Sequence, residues 1–289
     1  MIGLSWLIAA LALPAAGFGL FWRGGSGAFP FTTMRGEIVE LYGRGLYRYD
    51  TLFAAGGAQG NDAVVLLLGI PVLLATTALY RRGSIRWRLL HTGVLVYFLY
   101  IYASAALGTV VFNWMFPVYV LLLSASLFAV VLSFASVDLR SLARQLSPLA
   151  PRYGLAVFLF ASGVITLAAW GLPLVTALAR GGTTERLDSY STEVTFALDL
   201  ATITPLTFAA GALVLRGAAL GYALAVSLLV LETALAPMIA AQTIGQLAAG
   251  VTFQPGEVIG PIGGFIALAA GAGWFIAAIA RHVSREVTP

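Results

Sequence analysis

The sequence predicts an all-α integral membrane fold, a polytopic bundle of about eight transmembrane helices forming a single domain over residues 1–289. Three observations predict it. Hydrophobic residues make up 60% of the chain and charged ones 10%, whereas a soluble domain is about a quarter charged. So little charge cannot cover a folded surface in water. Eight apolar runs, about 2–22, 62–80, 89–112, 115–137, 154–179, 196–215, 218–241 and 259–280, come close to or exceed the roughly 20 residues that cross a hydrocarbon core. These runs are continuously apolar, without period-two alternation, so they suit helices that close their own hydrogen bonds rather than strands of a membrane barrel.

The first run lacks a basic leader, and Ala15-Ala16-Gly17 loosely resembles a signal-peptidase site, whose use would leave seven spans. Its length suits a retained helix, which is the reading adopted. Residues 23–61 form the longest outer loop. Val39, Leu41, Leu46, Leu52 and Phe53 make it too apolar for a solvated linker, which predicts an interfacial or lid helix over the bundle mouth. Gly56, Gly57 and Gly60 punctuate its end, and Asn61 or Asp62 is suited to cap the second span. Asn113-Trp114 makes the tight turn between the third and fourth spans, with Trp114 as an interface anchor. Polar stripes run along the third span (Tyr97, Tyr100, Ser104), the fourth (Tyr119, Ser126, Ser133) and the fifth (Ser162, Thr166, Trp170). Such stripes mostly mediate close helix packing.

Arginine placement orients the bundle. Arg81, Arg82, Arg86, Arg88, Arg140, Arg144, Arg152, Arg216, Arg281 and Arg285 fall on one side, with only Asp138 and Glu286 against them. The other side carries Arg23, Arg35, Arg44, Arg48, Arg180 and Arg186 and an excess of acids. By the positive-inside rule both termini are cytoplasmic. Arginine-only, alanine- and glycine-rich usage further suggests a prokaryotic source, and hence the inner (cytoplasmic) cell membrane.

The second and sixth spans share a pattern at an offset of 134. Pro71, Arg82 and Gly83 correspond to Pro205, Arg216 and Gly217. One reading is a tandem 4+4 parallel repeat, with halves 1–137 and 154–280 and a site between them, as in some transporters. The other is convergent punctuation of two helices, because prolines are readily tolerated in such spans.

Composition excludes several chemistries. No cysteine is present, which removes disulfides, thiolate metal sites and thiol nucleophiles. All 16 basic residues are arginine, so no lysine can form a retinal or pyridoxal Schiff base. No dense basic tract exists to hold nucleic acid, despite a net charge of +4. His91 and His282, the two histidines, sit at helix ends with nothing to set them across a haem, and no hydrolase or phosphate-binding motif occurs. No cofactor, metal site or catalytic set is therefore expected.

Two carboxylates fall inside spans, Asp199 near the outer end of the sixth and Glu232 near the middle of the seventh. A buried ionised acid costs several kcal/mol unless paired, so such residues usually face an interior or a water path. Thr195, Asp199 and Thr202 are spaced to share one helix face, whereas Thr204 points the opposite way and Thr207 lies on the flank. No arginine lies deep within a span, so each acid carries a proton, binds a cation, or meets Arg44 or Arg48 reaching down from the mouth. Arg44, Arg48, Asp50, Asp62 and Asn113, with Tyr47, Tyr49, Gln59 and Asn61, make that mouth the richest polar region. The expected function is a small carrier or channel with an outward-facing site for a polar solute or cation. The alternative is a non-transporting sensor or assembly subunit that binds a lipid, peptide or partner helix. Asp199 and Glu232 lie at unequal depths, which argues against a paired-acid membrane protease.

Overall fold

The computed structural model describes residues 1–110 and 113–283, and the chain is mostly helical. Arg285 and Glu286 lie outside the described residues. Eight helices are long and apolar enough to cross a bilayer, which makes this a multi-pass membrane protein. They are α1 (Ile2–Phe21), α2 (Leu52–Tyr80), α3 (Ile85–Gly108), α4 (Phe116–Ser136), α6 (Arg152–Ala179), α7 (Val194–Leu215), α8 (Ala219–Ala248) and α9 (Pro255–His282). A short helix, α5 (Leu139–Gln145), joins α4 to α6, and Asp138 caps it by accepting from the amides of Arg140 and Ser141.

The helices form two rings of four. In the first, α1 packs on α2 and α4, and α3 packs on α2 and α4. In the second, α6 packs on α7 and α9, and α8 packs on α7 and α9. Each ring has its own apolar core. The rings meet where α8 lies against α2 and α3, and there the cores interlock. Leu231 and Met238 of α8 enter the first, and Ile85 and Leu89 of α3 enter the second.

The outer loop departs from the expected surface helix. It contains an antiparallel hairpin, β1 (Phe29–Thr32) and β2 (Ile38–Leu41), with Phe29 opposite Leu41. Residues 52–61 are helical, but as the opening turns of α2, whose first amides are capped by Thr51 rather than by Asn61 or Asp62. The glycines there serve packing instead of turns. A Cβ on Gly56 would lie 2.5 Å from the Gln246 Cα, one on Gly60 would overlap the Ala241 carbonyl, and one on Gly245 would overlap the Gly56 carbonyl. Small residues on both helices let the two backbones touch, which is how membrane helices gain dispersion contact.

Two of the proline-bearing spans, α2 and α7, each contain one wider turn. The backbone is π-helical over Val65–Gly69 and over Asp199–Ile203, with Ile70 N–H bonded to the Val65 carbonyl and Thr204 N–H to the Asp199 carbonyl. Pro71 and Pro205 follow immediately. A proline has no N–H for the residue four back, and its ring crowds that carbonyl, so the preceding turn opens. This extra residue overturns the face assignment made from ideal spacing. Thr202 is exposed and bonds back to the Leu198 carbonyl, whereas Thr204 and Thr207 are buried.

Candidate functional site

Asp199 opens the π-turn of α7 at the seam between the rings. Its carboxylate accepts from the Tyr100 hydroxyl of α3 at 2.9 Å and from the Trp170 indole N–H of α6 at 2.7 Å. Phe196 packs against Trp170 with ring centroids 4.7 Å apart and the planes tilted by 35°, holding the indole in place. Only 9% of Asp199 is exposed. Thr195 is half-buried one turn earlier.

Glu232 lies deeper, inside the second ring. Ser162 of α6 donates to its Oε1 from the diagonally opposite helix, and Oε2 is buried with no hydrogen-bond partner. The residue is 4% exposed. Ser162 and Trp170 are eight residues apart on one helix, a rise of about 12 Å. The two acids they hold are separated by a similar depth, so no single water can serve both. Two cavities open at the arginine-rich end of the bundle, and neither is lined by Asp199 or Glu232.

The mouth residues divide into a buried set and an exposed set. Tyr47 donates to Asp62 Oδ2 at 2.6 Å, and its hydroxyl lies 3.3 Å from that of Tyr119. Tyr97 and Tyr102 surround the same acid, and α1 closes over it so tightly that a Cβ on Gly19 would overlap the carboxylate. Burial, with Asp62 beside it, holds the Tyr47 phenol well above its ordinary range. Asp50 accepts from Tyr190 at 2.6 Å, and burial pushes its carboxyl up to about 6, the Tyr190 phenol offsetting part of the rise. Asn113 is buried with its Oδ1 on the Met115 amide. Gln59 and Asn61 pair with Tyr42 and Gln242.

Arg44 and Arg48 stay outside this set. Both are exposed, and Arg48 lies over the Tyr49 ring at 4.6 Å instead of reaching an acid. Among the described residues the one ion pair recorded is Arg35–Glu37 on the hairpin. The buried acids are thus held by phenols, an indole and a hydroxyl. No family model matches the chain, nor does any curated protein or solved structure.

Three residues of the polar stripes do more than pack helices together. Ser162 and Trp170 are the donors to both intramembrane acids, and Tyr100 brings the third donor from the other ring. With Thr166 between them, Ser162 and Trp170 form a visible four-residue stripe on α6, but pairing them with Asp199 and Glu232 requires knowing which helices are neighbours. His91 is no haem ligand in this arrangement. Its ring nitrogens meet the Ser5 hydroxyl at 3.0 Å and the Thr76 hydroxyl at 3.2 Å.

Proposed function

We propose that the chain is a carrier of a small polar solute or cation in a prokaryotic inner membrane, with both termini cytoplasmic and its two rings moving against each other along the α3–α8 seam. The observation that carries this reading is Asp199. It is a seam acid held by one donor from each ring, Tyr100 and Trp170, so any relative movement of the rings changes what the carboxylate can bind. A carboxylate held only by neutral donors in an apolar surround carries a proton or attracts a cation. Glu232 would act as a second station deeper in the path. Thr195 would flank Asp199, while Asp50, Asp62 and Asn113, with Arg44 and Arg48 at the rim, would receive the solute from outside.

We further infer that the rings are a duplicated unit. The offset of 134 that relates Pro71 to Pro205 also relates the π-turns at 65–69 and 199–203, the left-handed Gly83 and Gly217, and the first residues of α3 and α8, Ile85 and Ala219. Parallel repeats of this kind place transport sites at their interface. The duplication fails if superposing α1–α4 on α6–α9 aligns them no better than two unrelated four-helix bundles.

Proteoliposomes holding a pH-reporting dye test the carrier reading under imposed proton, sodium and potassium gradients. Flux in the native protein, lost in Asp199→Asn and reduced in Glu232→Gln at unchanged folding, is the expected result. No flux under any gradient would favour the second reading, a non-transporting sensor or assembly subunit. That reading draws its support from Glu232, which sits in a packed core with no cavity of the two leading to it.

A further inference from the structure

Inside the first ring, a chain of hydroxyls leads from the mouth to Asp62. Asp62 on α2 accepts from Tyr47, and the Tyr47 hydroxyl meets that of Tyr119 on α4. Hydrogen counting gives the chain a direction. A phenol has one proton, and Tyr47 commits its own to Asp62 Oδ2 at 2.6 Å. The 3.3 Å contact is then Tyr119 donating to the Tyr47 oxygen. Both donors therefore point at Asp62, and the Tyr119 oxygen is left to accept from the mouth side.

Two groups stand at that end. The Asn113 side chain faces the Tyr119 hydroxyl, and Asp50 is close enough for its charge to act on the same phenol. Asn113 Oδ1 is taken by the Met115 amide, which turns Nδ2 the other way. Asn113 Nδ2 and Asp50 Oδ2 are both buried with no hydrogen-bond partner among the described residues. The other Asp50 oxygen accepts from Tyr190, with Asp188 behind that phenol and the Val110 amide beside the carboxyl. A water between Asp50 Oδ2, Asn113 Nδ2 and the Tyr119 oxygen would have three partners, about the usual number for buried water.

Beyond Asp62 the chain stops. Tyr97 and Tyr102 stand around the acid. The Tyr97 hydroxyl, and that of Ser126 two turns beyond Tyr119 on α4, are buried without partners among the described residues. A Cβ on Gly19 of α1 would overlap the Asp62 carboxylate, so in this closed cage a proton can reach the acid and nothing larger can. We propose that Asp62 is a buried proton site that exchanges with the mouth through Tyr47, Tyr119, one water and Asp50. In the inward step the Asp50 carboxyl gives its proton to the water, and the water gives one to the Tyr119 oxygen. Tyr119 passes its own proton to Tyr47, and Tyr47 passes its own to the Asp62 carboxylate. Each oxygen between the two acids breaks one O–H bond and forms another, so both phenols stay neutral and Asp50 is left ionised. The closed far end makes the site fill and empty from the mouth alone. This goes beyond the carrier reading and does not need it, since proton exchange at Asp62 requires no transported solute.

Infrared spectroscopy of the full chain in detergent, on rapid mixing into heavy water, tests this. The carbonyl stretch of protonated Asp62 is the band lost in Asp62→Asn, and its deuterium shift times the exchange. Asp62→Glu, which moves that band, serves if Asp62→Asn fails to fold. Tyr119→Phe breaks the relay while keeping the Tyr47–Asp62 bond. It should slow the exchange about a hundredfold, the low end of what a positioned proton donor contributes. Asp50→Asn should slow it as well. Tyr102→Phe removes a hydroxyl from the same cage but outside the relay, and should leave the rate unchanged. Unchanged or faster exchange in Tyr119→Phe overturns the proposal, since losing a phenol that merely packs the cage would admit water. An equal slowing in Tyr102→Phe overturns it too, as does a native spectrum with no band that Asp62 variants remove or move. Tyr47→Phe, with the same slowing expected, serves if Tyr119→Phe fails to fold.

Discussion

Tyr190 donates its phenolic proton to Asp50 at 2.6 Å, joining the α6–α7 loop to the loop that leads into α2. Other contacts clasp the same face. Arg35 of the hairpin turn bonds to the Asp188 and Tyr190 carbonyls, and Arg186 lies over the rings of Phe53 and Phe253. The clasp spans both rings and ties them together at this end of the bundle.

Asp50 makes that tie depend on pH. Its carboxyl is raised by burial from 3.8 to about 6, so the folded chain holds a proton that the unfolded chain releases. The stabilisation is complete below about pH 4 and is lost as pH rises through 6, a change on the order of 3 kcal/mol. Thermal unfolding should show a midpoint that falls between pH 4.5 and 7 in the native chain and is flatter in Asp50→Asn. An unchanged slope in that variant would assign the dependence to another group.

The α2–α8 contact gives a steric prediction. Gly60 has no room for a Cβ beside Ala241, so Gly60→Ala must push the two backbones apart. Overpacking of this kind costs about 1–3 kcal/mol. Gly17→Ala on α1, where nothing lies within 4 Å of the added carbon, should be neutral or mildly stabilising. Equal melting temperatures for the two variants would mean that the seam is looser than described.

The spans were legible because hydrophobicity alone marks them, and all eight expected runs correspond to observed helices. The start of α2 was not. Gly56, Gly57 and Gly60 look like loop residues until Gln246 and Ala241 are seen against them, and that contact is nearly 200 residues away in sequence. Asp199 and Glu232 stood out as rare acids in apolar runs, yet their donors lie on helices whose adjacency no local pattern encodes. The face of α7 was misread for a local reason. Ideal helical spacing does not hold from Asp199 to Ile203, where the backbone opens into a wider turn just before Pro205.

That misreading yields a discriminating pair of variants. Thr204 is buried with its hydroxyl unpartnered, whereas Thr202 is exposed. Replacing a buried, unpaired hydroxyl with an isosteric methyl removes a desolvation cost, so Thr204→Val should stabilise by about 1 kcal/mol. Thr202→Val should have little effect on unfolding in detergent. If Thr204→Val instead destabilises the protein, the hydroxyl has a partner such as a bound solute, and α7 presents a polar face at that depth.

His91 of α3 ties α1 to α2 within the first ring, and its tautomer follows from hydrogen counting. The Thr76 hydroxyl has one proton, and it faces the Val72 and Leu73 carbonyls at 2.8 and 3.1 Å. Thr76 then accepts from His91, which places the ring proton on Nδ1 and leaves the Nε2 lone pair for the Ser5 hydroxyl at 3.0 Å, closer than the Met1 carbonyl that this hydroxyl also faces at 3.3 Å. Nitrogen chemical shifts of labelled His91 should report the Nδ1–H form. Ser5→Ala strands the buried Nε2 and should cost about 1–3 kcal/mol, the penalty of an unsatisfied acceptor. It should do so by loosening α1, read as faster amide exchange over residues 2–21 than over α3. An Nε2–H signal in the native chain would reverse the donor assignment. Thr76 would then have to give up its bond to its own helix, and the loss should appear at α2 instead.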